Sequence, residues 1–218
     1  METKPIKILI ADDHPVVRQG LKFLLDTEPG FEVVGEASNG EQAVELTRDL
    51  GPDVILMDLV MPEVDGVEAT RRILQRCSEA TRVLVLTNYS SDEKLFPALD
   101  AGALGFLLKD STADELVQAI RQVSRGLSSL SPGIARRLVG EVSHESGVPG
   151  EPLTRREREI LRVMAHGHSN DDIAKELCIS PATVRTHITH ILAKLNVTRR
   201  TQAILYALRH GIASLDDE

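Results

Sequence analysis

The chain has 218 residues, 42% of them hydrophobic, and a formal net charge of −8, a length that suggests two domains and a composition ample for globular cores. No apolar run approaches the roughly 20 residues needed to cross a bilayer, and the N-terminal Met-Glu-Thr-Lys-Pro has no signal-peptide character, so a soluble, cytoplasmic protein without a membrane partner is expected. Cys77 and Cys178 stand far apart without metal-ligand spacing and are read as reduced thiols.

Strand and helix signals alternate five times in the first half. Ile6 to Ala11 is a continuous apolar strand, and Pro15 opens a helix in which Val16, Val17, Leu21, Leu24 and Leu25 recur at helical spacing. Phe31 to Ala37 is the second strand, after which Asn39-Gly40 turns into a helix through Ala43, Val44 and Leu46. Gly51-Pro52 breaks that helix before the strand Val54 to Met57, and Pro62 with Asp65-Gly66 forms a loop ahead of a helix near Val67 to Cys77. The strand Val83 to Leu86 ends at Thr87, and a helix near Glu93 to Ala101, a strand Leu104 to Leu108 and a helix Ala113 to Arg125 complete the set. Near-continuous apolar strands between amphipathic helices predict a doubly wound parallel α/β sheet covered on both faces.

Residues 126–149 loosen into Ser, Gly and Pro and read as a linker, with a short helix near Ile134 to Val142. The charge changes sign across it: residues 1–126 carry 22 acidic and 13 basic side chains, whereas Leu153 to His210 carries ten basic and five acidic. An acidic half joined to a basic half implies separate tasks.

Beyond the linker, Thr154 with Glu157 fits a capping box, and Ile160, Leu161, Val163 and Met164 follow as an apolar stripe that His166-Gly167-His168 stops. Ser169 or Asn170 caps a second helix through Leu177, Cys178-Ile179-Ser180 turns, and Ser180-Pro181 opens a third helix that reaches Leu195. Two short helices joined in this way form a helix-turn-helix. On the third helix Val184, Ile188, Ile191 and Leu195 share one buried stripe, while Ala182, Thr186, Thr189 and Ala193 lie opposite, flanked by Arg185 and His190. That small, polar face with one cation suits a major groove. A last helix contains Ala203, Ile204, Tyr206, Ala207 and Leu208. His166, His168, His187 and His190 lack a cysteine or carboxylate to complete a tetrahedral metal set, and His14 reads as a loop residue rather than a catalyst.

The chemistry in the first half lies at strand ends, with Asp12 and Asp13 after the first strand, Asp58 after the third, Thr87 after the fourth and Lys109 after the fifth. In an open parallel sheet these ends converge on one crevice, and an aspartate pocket with a cation beside an ammonium is suited to accepting a phosphoryl group. These residues, with Met61-Pro62 and Asp65-Gly66 after Asp58, resemble the receiver domain of two-component response regulators over residues 6–125. The resemblance implies a (βα)5 flavodoxin-like fold, Asp58 as phosphoacceptor, and Mg²⁺ held by Asp12, Asp13, Asp58 and the backbone carbonyl of Val60. It further implies that Lys109 pairs with the phosphoryl oxygens, that Thr87 donates its hydroxyl to them, and that Phe106 changes rotamer behind Thr87. Phe106 stands where many receivers carry tyrosine, so switching there would act through ring packing. Val60 and Tyr89 would flank the phosphoryl group and slow autodephosphorylation.

Leu153-Thr154, Glu157, Glu159-Ile160-Leu161, Gly167, Ile173-Ala174, Ile179-Ser180, Thr183-Val184, His187, Lys194-Leu195 and Arg200 resemble the LuxR-type DNA-binding domain over residues 150–214, a small four-helix unit. A receiver followed by this unit resembles the NarL/FixJ subfamily of transcriptional regulators. By that resemblance Arg185, Thr186 and Thr189 face the bases of double-stranded DNA, and Thr183, His187, His190, Lys194 and Arg200 contact phosphates or groove edges. A sensor histidine kinase and, on phosphorylation, a second copy of the chain are the implied partners, and the protein is a phosphoacceptor regulator rather than an enzyme. A hydrolase built on Asp58 would need an acid or base beside it, yet Leu59 and Val60 follow.

Overall fold

In the computed structural model residues 4–76, 81–88, 92–130, 134 and 152–214 are described; Cys77, Tyr89 and most of the expected linker with its short helix lie outside them. The chain divides into two compact units, Met1–Ser131 and Pro132–Glu218.

In the first unit the apolar runs form parallel strands β1 (Ile6–Ala11), β2 (Phe31–Ala37), β3 (Val54–Asp58), β4 (Arg82–Thr87) and β5 (Gly105–Leu108), with a two-residue β6 (Ser129–Leu130), in the order β2-β1-β3-β4-β5-β6. Helices α1 (Pro15–Thr27), α2 (Gly40–Leu50), α3 (Gly66–Arg76), α4 (Asp92–Ala101) and α5 (Ala113–Ser124) connect them. β6 falls inside the segment read as linker: Gly105 registers with Ser129 and Phe106 with Leu130, so the sheet gains a sixth strand at its edge.

Both sheet faces are buried. Ile8, Ile10, Leu56 and Leu84 pack with Leu25 of α1 and Ile120 of α5, while Leu9, Ile55, Met57 and Val85 are equally covered on the other side. At roughly 1.5–3 kcal/mol per fully buried aliphatic side chain, this two-sided burial sets the strand register firmly. The strand order reverses direction between β1 and β3, where Ala11 registers with Met57. The next residues, Asp12 just past β1 and Asp58 at the end of β3, therefore stand side by side at the carboxyl edge of the sheet, the position where open α/β sheets bind ligands.

The second unit holds α6 (Arg155–Ala165), α7 (Asn170–Glu176), α8 (Pro181–Lys194) and α9 (Arg200–Arg209). Thr154, Ser169 and Ser180 cap α6, α7 and α8 by accepting from the backbone N–H three residues on, and Pro181 sits at the first position of α8. Cys178 takes a left-handed φ of 54° in the turn between α7 and α8. Ile160, Leu161, Met164, Ile173, Val184 and Ile191 form the interior; Ile188, expected on the same stripe, is half-buried. Among the described residues no helix is long and apolar enough to cross a membrane.

Candidate functional site

At the β1–β3 edge, Asp12 is buried and its Oδ1 accepts from the backbone N–H of His14 at 2.8 Å. Lys109, delivered by the end of β5, places Nζ 2.6 Å from Asp12 Oδ2 and 2.9 Å from Asp58 Oδ2. The backbone N–H of Val60 approaches Asp58 Oδ1 at 3.4 Å. Asp13 stands half-buried at the rim, with His14 Nδ1 2.6 Å from its Oδ1. Thr87 is buried and donates its hydroxyl to the carbonyl of Asn88 at 3.1 Å, while Phe106 is fully buried in β5. The Val60 side chain is exposed, and Tyr89 lies outside the described residues.

The loop after β3 is held by close contacts. The Gly66 N–H donates to the Leu59 carbonyl at 3.3 Å, and Lys94 of α4 donates to Asp65 Oδ2 at 2.8 Å and to the Leu59 carbonyl at 3.5 Å. Nothing in the sequence pattern identifies Lys94 as part of this frame, because the pairing spans 29 residues and rests on tertiary packing alone.

The donor set suits a hard divalent cation. One ligand atom from each of Asp12, Asp13, His14 and Asp58 lies within 4.8 Å of the others. Asp13 Oδ1 is buried and accepts no well-formed hydrogen bond, while Asp12 Oδ2 is paired with the Lys109 ammonium. Several carboxylate oxygens converging at this spacing are what such an ion requires.

In the second unit α8 exposes Thr183, Arg185, Thr186, Thr189 and His190, with His187 half-buried. The hydroxyls of Thr186 and Thr189 donate to the carbonyls of Ala182 and Arg185 at 3.2 and 3.1 Å, which leaves their acceptor lone pairs and methyl groups for an incoming surface. Lys194 donates to Glu157 Oε2 at 2.9 Å. Arg200 donates to Asn170 Oδ1 at 3.0 Å and to the His168 carbonyl at 2.6 Å. The two cations expected at phosphates thus also brace α8 and α9 against α6 and α7.

Residues 8–121 match the family model of the response regulator receiver domain, and residues 151–207 match that of bacterial regulatory proteins of the luxR family. The chain belongs to the response regulators of the NarL/FixJ type. Transcriptional regulatory protein LiaR of Bacillus subtilis (strain 168) is 46% identical over 211 residues, 96% of this chain and all of that protein. Among solved structures, the response regulator ChrA of a heme-sensing two-component system aligns with a TM-score of 0.56 at 38% identity, covering 96% of this chain and 100% of that one. The complex of the response regulator RcsB with DNA aligns at 0.57 and 27% identity, covering 94% and 98%. The chain is accordingly a DNA-binding response regulator of a two-component system, a regulator of transcription rather than a classical enzyme.

The electrostatics of the regulator's pocket are set by burial and by one cation. Burial raises the Asp58 carboxyl above the usual carboxylate range and outweighs the opposing pull of Lys109. Burial also acts to lower the Lys109 ammonium, but the Asp12 and Asp58 carboxylates outweigh it and hold that group above the ordinary lysine value. In the DNA-binding unit, burial alone lowers Arg200 to about 10, and among the described residues no carboxylate pairs with it. Its guanidinium is held by neutral acceptors, Asn170 Oδ1 and the His168 carbonyl.

Proposed function

We propose that Asp58 accepts a phosphoryl group from a sensor histidine kinase, and that the modified receiver promotes dimerisation and sequence-specific binding of double-stranded DNA. The observation that carries this reading is the pair of buried carboxylates, Asp12 and Asp58, bridged by Lys109 at the strand-order reversal. An Asp58 oxygen attacks phosphorus of the donor phosphohistidine, a P–O bond forms as the P–N bond breaks, and the leaving imidazole keeps the electron pair. Asp12, Asp13, Asp58 and the Val60 carbonyl would hold Mg²⁺, which when bound supplies charge neutralisation to the entering phosphoryl oxygens.

Lys109 provides the second neutralising charge. Thr87 donates to the phosphoryl group once its hydroxyl leaves the Asn88 carbonyl, and Phe106 repacks behind it, so a local event biases a two-state element. Phosphorylation then shifts the equilibrium toward a dimer whose paired units bind adjacent sites.

On DNA, Arg185 reads guanine, and Thr186 and Thr189 present methyl groups and acceptors to base edges. Thr183, His187 and His190 meet phosphates, while Lys194 and Arg200 orient the helices and lend long-range charge. A cytoplasmic location fits these partners.

Incubating the full chain with Mg²⁺ and a small phosphodonor, with intact mass as the readout, tests the reading. A single phosphoryl adduct that disappears in Asp58→Asn is expected, together with tighter binding of a selected DNA site by the modified protein. An adduct that persists in Asp58→Asn, or donor hydrolysis through many turnovers without an adduct, contradicts it.

A further inference from the structure

His14 follows the two aspartates and is the cap residue of α1, yet its side chain makes no capping hydrogen bond. Its backbone N–H serves Asp12 instead. The imidazole is 68% exposed, and Nδ1 lies 2.6 Å from Asp13 Oδ1 and 3.5 Å from Asp12 Oδ1. An octahedral ion with bonds of roughly 2.1 Å sets neighbouring ligand atoms about 3 Å apart. The two separations around His14 bracket that edge. Asp13 Oδ1 accepts no well-formed hydrogen bond, although the ring nitrogen stands beside it.

Donor chemistry then discriminates among ions. Mg²⁺ prefers oxygen and sheds water reluctantly, so an imidazole adds little for it. First-row transition ions gain from nitrogen, in the order Mn²⁺ < Fe²⁺ < Co²⁺ < Ni²⁺.

We propose that His14 supplies a nitrogen donor to the acidic pocket, making it a mixed nitrogen–oxygen site that takes first-row transition dications in preference to Mg²⁺. The proposal rests on the reading of Asp12, Asp13 and Asp58 as a divalent-cation site. Mg²⁺ remains bound through the carboxylates and the Val60 carbonyl. His14 changes which ion wins when both are present.

The test uses the full-length, metal-free protein without an affinity tag, loaded with Mn²⁺ and read by pulsed electron paramagnetic resonance for directly bound ¹⁴N, with calorimetric titrations of Mn²⁺ and Mg²⁺ alongside. The ¹⁴N coupling is expected in the wild type and absent in His14→Gln. That variant should bind Mn²⁺ about 10-fold more weakly, with Mg²⁺ affinity changed by much less. Mn²⁺ seated at the carboxylates without ¹⁴N coupling, or an unchanged Mn²⁺ to Mg²⁺ affinity ratio in His14→Gln, overturns the proposal. The parent reading has its own control: Mn²⁺ binding that Asp13→Asn and Asp58→Asn both leave untouched shows that the acidic pocket is not the cation site at all.

Discussion

Lys109 Nζ sits 2.9 Å from Asp58 Oδ2 with its side chain only 13% exposed, so the acceptor carboxylate is held by a largely buried cation. The same ammonium reaches Asp12 at 2.6 Å and offsets the repulsion between the two carboxylates. Replacing Lys109 by Met leaves both facing each other in a pocket that already raises Asp58. The expected cost is about 1–3 kcal/mol without metal, reduced from the value for a fully buried pair by the residual solvent access. Thermal unfolding in chelator should show the loss, and divalent cation should restore more of it in Lys109→Met than in wild type. An unchanged midpoint in chelator would mean that the carboxylates are relieved by something other than Lys109.

A Cβ at Gly66 would lie 1.9 Å from the Asp58 carbonyl oxygen and 2.9 Å from the Leu59 Cα, and neither backbone atom can yield cheaply. Gly66→Ala is expected to cost about 1–3 kcal/mol by forcing the acceptor loop outward. Gly20, inside α1, would meet nothing within 4 Å, so Gly20→Ala should stabilise by about 0.5–1 kcal/mol. Denaturant unfolding of the two variants should move in opposite directions; a shared sign contradicts the packing argument.

The parts of the fold that the sequence disclosed are those with a period or a terminus signal. β1 and β3 are continuous apolar runs because both faces are covered, and the first charges after those runs, Asp12 and Asp58, mark their carboxyl ends. The capping box at Thr154 is local, with both partners within three residues, as is the cap at Ser169, one of the two positions the sequence offered. By contrast, β6 is two residues long, too short for any alternation. The Lys94–Asp65, Lys194–Glu157 and Arg200–His168 pairings span 29, 37 and 32 residues, and periodicity carries nothing about where a long flexible side chain ends. The convergence of Asp12, Asp58 and Lys109 was therefore readable, while the bracing of the DNA-binding helices was not.

Glu157 is 4% exposed, and its Oε2 accepts from the Thr154 N–H, the Thr154 hydroxyl and Lys194. Burial acts to raise its carboxyl, but these donors outweigh burial and hold it below the ordinary 4.5. A depressed folded value means stability that is present above pH 4.5 and lost as pH falls through the lower folded value. The second unit should therefore loosen on acidification below pH 4.5, followed by amide exchange in α6 and α8 of the full chain. Glu157→Gln should cost about 1–3 kcal/mol at neutral pH and flatten that acid dependence. An acid limb of the same steepness in the variant would assign it to other carboxylates.

Arg185 is exposed on α8 between Thr186 and the half-buried His187 on one side and the capped first turn on the other. A guanidinium there can form a bidentate contact with guanine, and Arg185→Ala should relax discrimination by about 1–3 kcal/mol at one base pair. Thr186 and Thr189, with hydroxyl hydrogens turned to their own helix, should instead read thymine methyl groups. Binding-site selection checks the first expectation, and replacing thymine by uracil position by position checks the second. Selection that returns the same preference from Arg185→Ala would remove this residue from base readout.

Val60 is 51% exposed two residues beyond Asp58, and its N–H approaches the acceptor carboxylate at 3.4 Å. A branched hydrocarbon at this position offers no hydrogen bond to a water lining up behind an acyl phosphate, so the modified receiver should lose its phosphoryl group slowly, over many minutes or longer. Val60→Asn offers that water an amide as a hydrogen-bond partner. One net hydrogen bond of about 1 kcal/mol corresponds to roughly 5-fold faster decay. The decay can be followed by intact mass after the phosphodonor is removed, with Mg²⁺ held constant so that only the hydrolytic step differs. Decay in Val60→Asn no faster than in wild type would mean that attack is limited by charge neutralisation at Lys109 and the metal rather than by the positioning of water.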